Sequence, residues 1–349
     1  MGVMQRLITR VWKGEAPLAR ALLFAPLFAF SLAYRAALAA RAAWYRSGLA
    51  RVEKAPVPVI SVGNLSLGGT GKTTVVERLS LELKERGFSP GIVLRGYKKK
   101  RRGAFAVDRM RDSAQDAGDE ALMLARRTML PVLVGKNRIE SIRKGVNDFA
   151  IDVAVLDDGF QVRNLRKNVE ILILSGGEPL SALHLFPLGF LREPLEMMKK
   201  ADILLVSKGE PDRRTRDLSA GMPCFRVRNR PLHLCRLRDR GMIDHRALKG
   251  KKVLAFSGLG DNRSFFSLLR EIGADVVAAW EFPDHHRYCR EDLRRIESFR
   301  GADLAVTTEK DAVKLEHMDP GEKLFYLSIE AEIEDRDKLL DLVLGKVRE

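Results

Sequence analysis

From Val57 onward, short apolar runs alternate with longer amphipathic stretches. VPVISV reads as a strand, the glycine-rich stretch after it as a loop, and Thr73 to Arg86 as a helix closed by Gly87. PGIVLRGY predicts the next strand, GDEALMLARRT a helix, PVLVGKN a strand and Ser141 to Asp148 a helix. VAVLDD is an apolar strand ending in acid, and VEILILS and ADILLVS have the same apolar character. Apolar strands joined by helical crossovers predict a mostly parallel sheet covered on both faces. The rhythm breaks between Val227 and Gly241, where charged and apolar residues alternate as in a ribbon or linker. It then resumes with KKVLAFSG, SFFSLLREIG, ADVVAAWEF, EDLRRIESF and LAVTT, a second and smaller α/β unit. The expected domains are therefore an N-terminal helical segment over 1–50, a core over 51–226, a linker over 227–241 and a C-terminal unit over 242–349.

The first fifty residues follow a different pattern. Ala21 to Tyr34 is an apolar run of 14 residues between Arg20 and Arg35, followed by Ala-rich sequence carrying Arg41, Trp44, Tyr45 and Arg46. A helix of that length reaches roughly 21 Å, short of a hydrocarbon core of about 30 Å. Continuing helix after the run argues against a cleaved signal peptide. A helix lying in a membrane interface fits the spaced arginines and terminal aromatics, and a helix packed on the protein's own core is the alternative.

Composition narrows the classes. With 46% hydrophobic and 31% charged residues the chain of 349 is globular, and 61 Lys plus Arg against 46 Asp plus Glu give a net charge of +15. That excess favours anionic partners. Three cysteines without C-x-x-C spacing exclude a disulfide framework and a cysteine zinc site.

The chemistry starts in GNLSLGGTGKTT. A phosphate cradle needs a strand, small residues that let backbone N–H groups converge, a lysine, a hydroxyl and a helix N-terminus behind them. Gly68, Gly69, Thr70, Gly71, Lys72, Thr73 and Thr74 supply these, although Ser66 stands where the usual pattern has its first glycine. Asp157 and Asp158 close an apolar strand, as a magnesium-holding acid would, or form a turn pair before Gly159. Asp119 and Glu120 open a helix, a placement that capping and the helix dipole could also explain. In PDHHRY, one histidine oriented by a carboxylate is more economical than a metal pair, because adjacent side chains seldom point the same way, and a plain surface turn is the alternative. Arg192 and Glu193 of LREPLE and Lys310 and Asp311 of TTEKDAVK are each weak signals alone. Tyr97 precedes five consecutive cations, Lys98 to Arg102, which read as a solvated basic loop or as a surface for an anionic headgroup.

As an ordered set, GN-x-x-x-GGTGKT, RGY, GDE, DDGFQ, LREP, DHH-x-Y and TEKDAVK behind an apolar helix resemble the tetraacyldisaccharide 4'-kinases of lipid A biosynthesis. That family also carries a non-glycine residue at the loop entrance. This chain departs from it at Thr74, where proline is common, and at Lys98, where glycine often follows RGY. The resemblance implies a P-loop NTPase-like α/β domain and a smaller C-terminal α/β domain that close over ATP, with a membrane-associated N-terminal helix. It further implies ATP- and Mg²⁺-dependent phosphorylation of the 4'-hydroxyl of an acylated glucosamine disaccharide 1-phosphate, giving lipid IVA at the cytoplasmic face of the bacterial inner membrane. By the same resemblance Lys72 binds phosphate, Thr73, Asp157 and Asp158 serve the metal, and Asp119 is the base with His285 as its partner. Glu120, Arg192 and Glu193 support metal, phosphates and substrate, and Arg95 and Tyr97 face the headgroup. The expected partners are the glycolipid and a membrane surface, with no nucleic acid, and the chain is expected to be a monomer. The rival readings are a P-loop kinase for another lipid or sugar, and a membrane-associated NTPase switch.

Overall fold

The computed structural model describes residues 17–97, 99–176 and 184–348, the side chains of 17–22 excepted. Helix α1 (Pro17–Arg46) precedes strand β1 (Val59–Gly63), helix α2 (Lys72–Glu85) and strands β2 (Pro90–Leu94) and β3 (Phe105–Ala106). Helices α3 (Ala114–Ala117) and α4 (Asp119–Thr128) lead to β4 (Val132–Val134), α5 (Arg138–Phe149) and β5 (Val153–Asp157). Strands β6 (Val169–Ser175) and β7 (Ile203–Ser207), helix α6 (Arg213–Leu218) and the long strand β8 (Cys224–Arg236) follow. After β9 (Met242–Asp244) come β10 (Lys252–Ser257), α7 (Asn262–Glu271), β11 (Asp275–Glu281) and α8 (Arg290–Glu297). The chain continues through β12 (Leu304–Thr308), α9 (Glu309–Leu315), β13 (Leu324–Ile333) and α10 (Arg336–Arg348). The fold is the mostly parallel α/β arrangement expected from the alternation.

Internal contacts divide the chain into two units, each built from stretches separated along the sequence. The first contains the chain up to Lys72, Val153–Arg228 and the chain from Ile333. Its centre is β1, paired in parallel with β5 on one side and β6 on the other, with β7 and then the first residues of β8 continuing in parallel. All five residues of β1 and of β5 are buried, which is why these strands read as unbroken apolar runs. Leu65, Phe160, Leu172, Leu191, Met198 and Leu204 belong to its core.

Helix α1 belongs to this unit. Leu27, Ser31 and Leu38 are buried, spaced to share one face, whereas Phe24, Phe28, Phe30, Leu32 and Trp44 are exposed. Ser31 Oγ donates to the Leu185 carbonyl (3.0 Å), Tyr34 Oη to that of Arg192 (2.9 Å) and Arg41 to that of Gln161 (3.1 Å). Continuous helix to Arg46 gives a 24-residue segment from Leu23 that is long and apolar enough to cross a membrane by length and composition.

The second unit contains Thr73–Asp152 and Asn229–Glu332. In it β2 and β4 run parallel with β3 antiparallel at the end, and β11, β10, β12 and β13 form a parallel series. The alternating stretch after Val227 is the second part of β8, which turns back as an antiparallel ribbon with β9. Helix α5 begins at Arg138, before the expected Ser141, because Asn137 Oδ1 accepts from the amides of Ile139 and Glu140.

Arg127 joins three elements of this unit. Its Nε lies 2.8 Å from Glu77 of α2, its Nη1 2.8 Å from Glu309 of α9, and its Nη2 donates to the Ile329 carbonyl of β13. A buried carboxylate, Glu77, and a half-buried one, Glu309, share one guanidinium. Burial first, with the neighbouring charge of Glu309 added, outweighs the attraction of Arg127 and pushes Glu77 up to about 7. A carboxyl whose folded value is raised gives stability that is complete below its unfolded value and is lost as pH rises through the folded one. The loss therefore falls between pH about 4.5 and about 7. Glu77→Gln keeps the hydrogen bond and cannot ionise, so its stability relative to the parent is expected to rise by about 1–3 kcal/mol between pH 5 and pH 8. Denaturant unfolding at the two pH values measures this, and a difference that does not change with pH contradicts it.

Candidate functional site

The glycine-rich loop emerges from β1 and is shaped by a segment distant in sequence but adjacent in the fold, LREP. Ser66 forms an antiparallel bridge with Leu191, the Leu67 amide donates to the Phe190 carbonyl (2.7 Å), and the Arg192 amide donates to Leu65 (2.7 Å). The loop entrance is thus extended backbone, which a residue with a Cβ adopts freely. That is the physical reason why serine suffices where other phosphate loops use glycine. Left-handed geometry appears later, at Gly68 (φ 129°) and Gly71 (φ 84°), where only glycine is relaxed.

The same pairing delivers the Arg192 guanidinium. It donates to both oxygens of Asp158 (3.0 and 2.7 Å) and to Asn64 Oδ1. Buried Asn64 in turn donates to Thr70 Oγ1 (3.2 Å), and Gln161 donates to the Asn64 carbonyl (2.8 Å). Lys72 Nζ stands 3.7 Å from Asp158 Oδ1. Asp158 has a positive φ of 58° and is 41% exposed at its side chain, while Asp157 beside it is buried. Glu193 faces the other way: it is 1% exposed and paired with Arg163 at 2.8 Å. The chain bends at these two residues, and the neighbours serve different partners.

Close approach fixes this arrangement. A Cβ on Gly63, the last residue of β1, would lie 2.5 Å from the Phe160 Cβ and 2.8 Å from its backbone nitrogen. The end of the strand and the DDGFQ turn can only pack this closely because residue 63 has no side chain.

A second group of charges lies within the other unit. Asp119, 6% exposed, opens α4, and its Oδ1 accepts from the Glu120 amide (3.0 Å). His285 Nδ1 sits 3.1 and 2.9 Å from its two oxygens, so the ring donates from Nδ1 to an ionised carboxylate. The N-cap position is Gly118, so Asp119 is the first helical residue rather than the cap, and the histidine contact is its distinguishing partner. His285 occupies left-handed backbone (φ 56°), and the Tyr97 ring stands 4.8 Å away. His286 points elsewhere, to Asp292 at 3.0 Å, so the two histidines serve different partners.

Lysines complete the group. Lys310 Nζ lies 3.0 Å from Glu120 and 3.3 Å from Asp284, and Lys314 Nζ lies 2.6 Å from Asp311 and 3.7 Å from Asp119. Burial alone would raise Asp119. The His285 hydrogen bond and the charges of Lys310, His285 and Lys314 outweigh it and hold the carboxyl well below its usual range. Burial likewise would lower Lys310, yet Glu120, Asp119 and Asp284 hold its ammonium well above the ordinary lysine value.

The remaining candidates are more scattered. Thr73 lies in the first turn of α2, and Thr74 Oγ1 lies 3.3 Å from Asn229 Oδ1. Arg95 and Tyr97 are exposed. Of the five cations, Lys98 lies outside the described residues, Lys99 donates to the Gly103 carbonyl and stands over the Phe105 ring, and Arg101 pairs with Asp112 against the same ring. Lys100 and Arg102 are exposed. Arg163 and the two lysines of the TEKDAVK helix were not assigned roles from the sequence, and only their proximity to named acids draws attention to them. Among the described residues no cluster of three or more His, Cys, Asp or Glu forms a ready metal cage.

The family model described as tetraacyldisaccharide-1-P 4'-kinase matches residues 23–348. The chain belongs to the tetraacyldisaccharide 4'-kinase family. A protein of that name from Syntrophus aciditrophicus is 34% identical over 100% of both chains, and one from Halorhodospira halophila is 37% identical over 92% of this chain and 91% of its own. A crystal structure of LpxK from Aquifex aeolicus in complex with ATP is similar at a TM-score of 0.76 and 31% identity, covering 95% of this chain and 100% of that one. Family membership makes this chain one of a group of kinases of lipid A biosynthesis.

Adding a Cβ at Gly63 is expected to destabilise the protein by about 1–3 kcal/mol, since backbone as well as side chain must move. Gly69 is the control, because a Cβ there meets nothing within 4 Å. Gly69→Ala should leave stability within about 0.5 kcal/mol of the parent. Thermal unfolding of the two variants checks the pair, and equal destabilisation contradicts the close-approach argument.

Proposed function

We propose that the chain transfers the γ-phosphoryl group of ATP to the 4'-hydroxyl of an acylated glucosamine disaccharide 1-phosphate. The observation that carries this reading is the Asp119–His285 pair, a carboxylate out of water yet held ionised, which suits an acceptor hydroxyl better than an ATPase or a switch. The family's name and the ATP complex of its Aquifex aeolicus member support the acceptor and the donor.

In this reading the loop amides and Lys72 hold the ATP phosphates, with the start of α2 supplying the favourable end of a helix dipole. Arg192 fixes the Asp158 carboxylate and ties it, through Asn64 and Thr70, to the loop. The hard oxygens of Asp157, Asp158 and Thr73 suit Mg²⁺, which commonly takes only one or two carboxylates and completes its shell with phosphate and water. When bound, the ion would neutralise charge on the phosphates. Glu120 is engaged by Lys310, and we assign it to orienting that region, with Glu193 doing the same for Arg163.

Asp119 receives the proton of the acceptor hydroxyl as the new O–P bond forms and the bond to the β,γ-bridging oxygen breaks, ADP leaving with that electron pair. A carboxylate this far below the usual range is a weak base at rest, so the proton moves late, when the sugar oxygen has become acidic. His285 keeps the carboxylate oriented. Arg95 and Tyr97 are assigned to the sugar headgroup. The exposed apolar face of α1 is assigned to the membrane, at the cytoplasmic face of the inner membrane, where the acyl chains can remain in lipid.

Asp119→Asn preserves shape and removes the proton acceptor. With ATP, Mg²⁺ and the disaccharide lipid in detergent micelles, kcat is expected to fall roughly 10²- to 10⁴-fold while ATP affinity changes by less than about threefold. Undiminished turnover in this variant would remove Asp119 from the role of base. Lys72→Ala should abolish transfer, and a fully active variant refutes the phosphate assignment.

A further inference from the structure

The TEKD segment is the motif that the reaction scheme leaves without a role. Its lysine stands in an unfavourable place by helix standards. Lys310 is the second residue of α9, where the dipole favours acids, and Glu309 and Asp311 flank it. The helix has its own cap, since the Asp311 amide donates to Thr308 Oγ1 and the Thr308 hydroxyl donates to Asp311 Oδ2 (2.8 Å). Helix formation therefore does not account for a cation at this position.

Its contacts do. The ammonium lies 3.0 Å from Glu120 Oε1 and 3.3 Å from Asp284 Oδ1, with only 14% of the side chain exposed. Glu120 directly follows Asp119, and Asp284 directly precedes His285. One ammonium thus ties together the two chain segments that carry the hydrogen-bonded pair, on the side chains next to each partner. The 284–285 segment needs such a tie. His285 holds left-handed backbone, and its amide makes a 3.3 Å contact to the Gly258 carbonyl. Asp284 also approaches His285 itself, with Oδ2 3.8 Å from Nε2. Lys314 has a different task one turn later, holding buried Asp311, which accepts from the Gly258 amide (2.8 Å) and so steadies the same loop from behind.

We infer that Lys310 is a positioning residue for phosphoryl transfer: by bridging Glu120 and Asp284 it sets the Asp119–His285 hydrogen bond in its working geometry. It acts through its two carboxylate partners, and its catalytic consequence rests on the kinase reading of that pair. A displacement of about 1 Å in a reacting group can cost on the order of 100-fold in rate, so loss of the tie should be read in turnover more than in nucleotide binding.

The test compares Lys310→Met and Lys310→Arg in full-length protein in micelles, with thermal unfolding to verify folding. Two readouts are taken: kcat and KM for ATP, and the downfield proton resonance of His285 Nδ1–H in ¹⁵N-histidine-labelled protein, assigned by its loss in His285→Gln. Lys310→Met should lower kcat roughly 10- to 100-fold with the KM for ATP changed less than about threefold, and should shift or abolish the resonance. Lys310→Arg, which keeps the charge, should restore the resonance and most of the turnover. If Lys310→Met unfolds, Asp284→Asn cuts the same tie at its other end and is expected to give the same pattern. An unchanged resonance in the variant that lacks the tie, or no recovery with arginine, overturns the inference. Failure of the kinase reading is distinguishable, because parent protein would then transfer no phosphate while the resonance comparison would still decide the positioning role.

Discussion

A carboxylate removed from water must either take up a proton or be surrounded by groups that stabilise its charge, and Asp119 is kept charged. Only 6% of the residue is exposed, yet the His285 ring N–H, the Glu120 amide and two nearby ammonium groups hold it ionised. Much of the second unit's geometry follows from that requirement. Helix α4 must begin at Asp119, the PDHHRY loop must bring one histidine inward, and α9 must place lysines one turn apart on the acidic side. Arg127, held between Glu77 and Glu309, joins the last turn of α4 and the first residue of α9 to α2. A buried charge without such partners would cost about 3–5 kcal/mol.

The first unit solves a similar problem with backbone. The loop entrance borrows a strand-like partner from residues 190–192, and this pairing carries Arg192 to Asp158 and Asn64. Because the entrance is extended there, its sequence is free of the glycine requirement. The freedom is used only where the chain turns left-handed, at Gly68 and Gly71. Helix α1 attaches to the same region through Ser31, Tyr34 and Arg41, each donating to a backbone carbonyl. Anchoring of α1 and support of the loop thus share one stretch of chain, 184–192, with the Arg192 carbonyl accepting from Tyr34 while its side chain serves Asp158.

The parts of this architecture that announce themselves in sequence are those where one local pattern has one physical meaning. Buried parallel strands are apolar throughout, so β1, β5, β6 and β7 were legible, as was the loop between β1 and α2. Strand β13 and helix α10 were not, since their half-exposed pattern mixes acids with apolar residues. Contact organisation was also hidden: stretches distant along the chain combine within each unit, and nothing local records that. At the candidate site, the partnership of Asp119 with His285 was implied only by the ordered motifs' resemblance to the family, whereas the different partners of Arg192 and Glu193 are not revealed by the motif at all. Lys310 was visible as a letter in TEKD, but its meaning lies in two carboxylates distant in sequence, which only three dimensions bring to it.

The proposed reaction requires that phosphate reach an acceptor oxygen. The most direct measurement is ³¹P NMR of the lipid product after incubation of the protein with isotopically labelled γ-phosphate ATP, Mg²⁺ and the disaccharide 1-phosphate in micelles. The expected result is a second phosphate monoester on the disaccharide, carrying the label at the 4' position, with one formed for each ADP released. Label found only in inorganic phosphate, with ADP appearing at the same rate whether or not the acceptor is present, would contradict it.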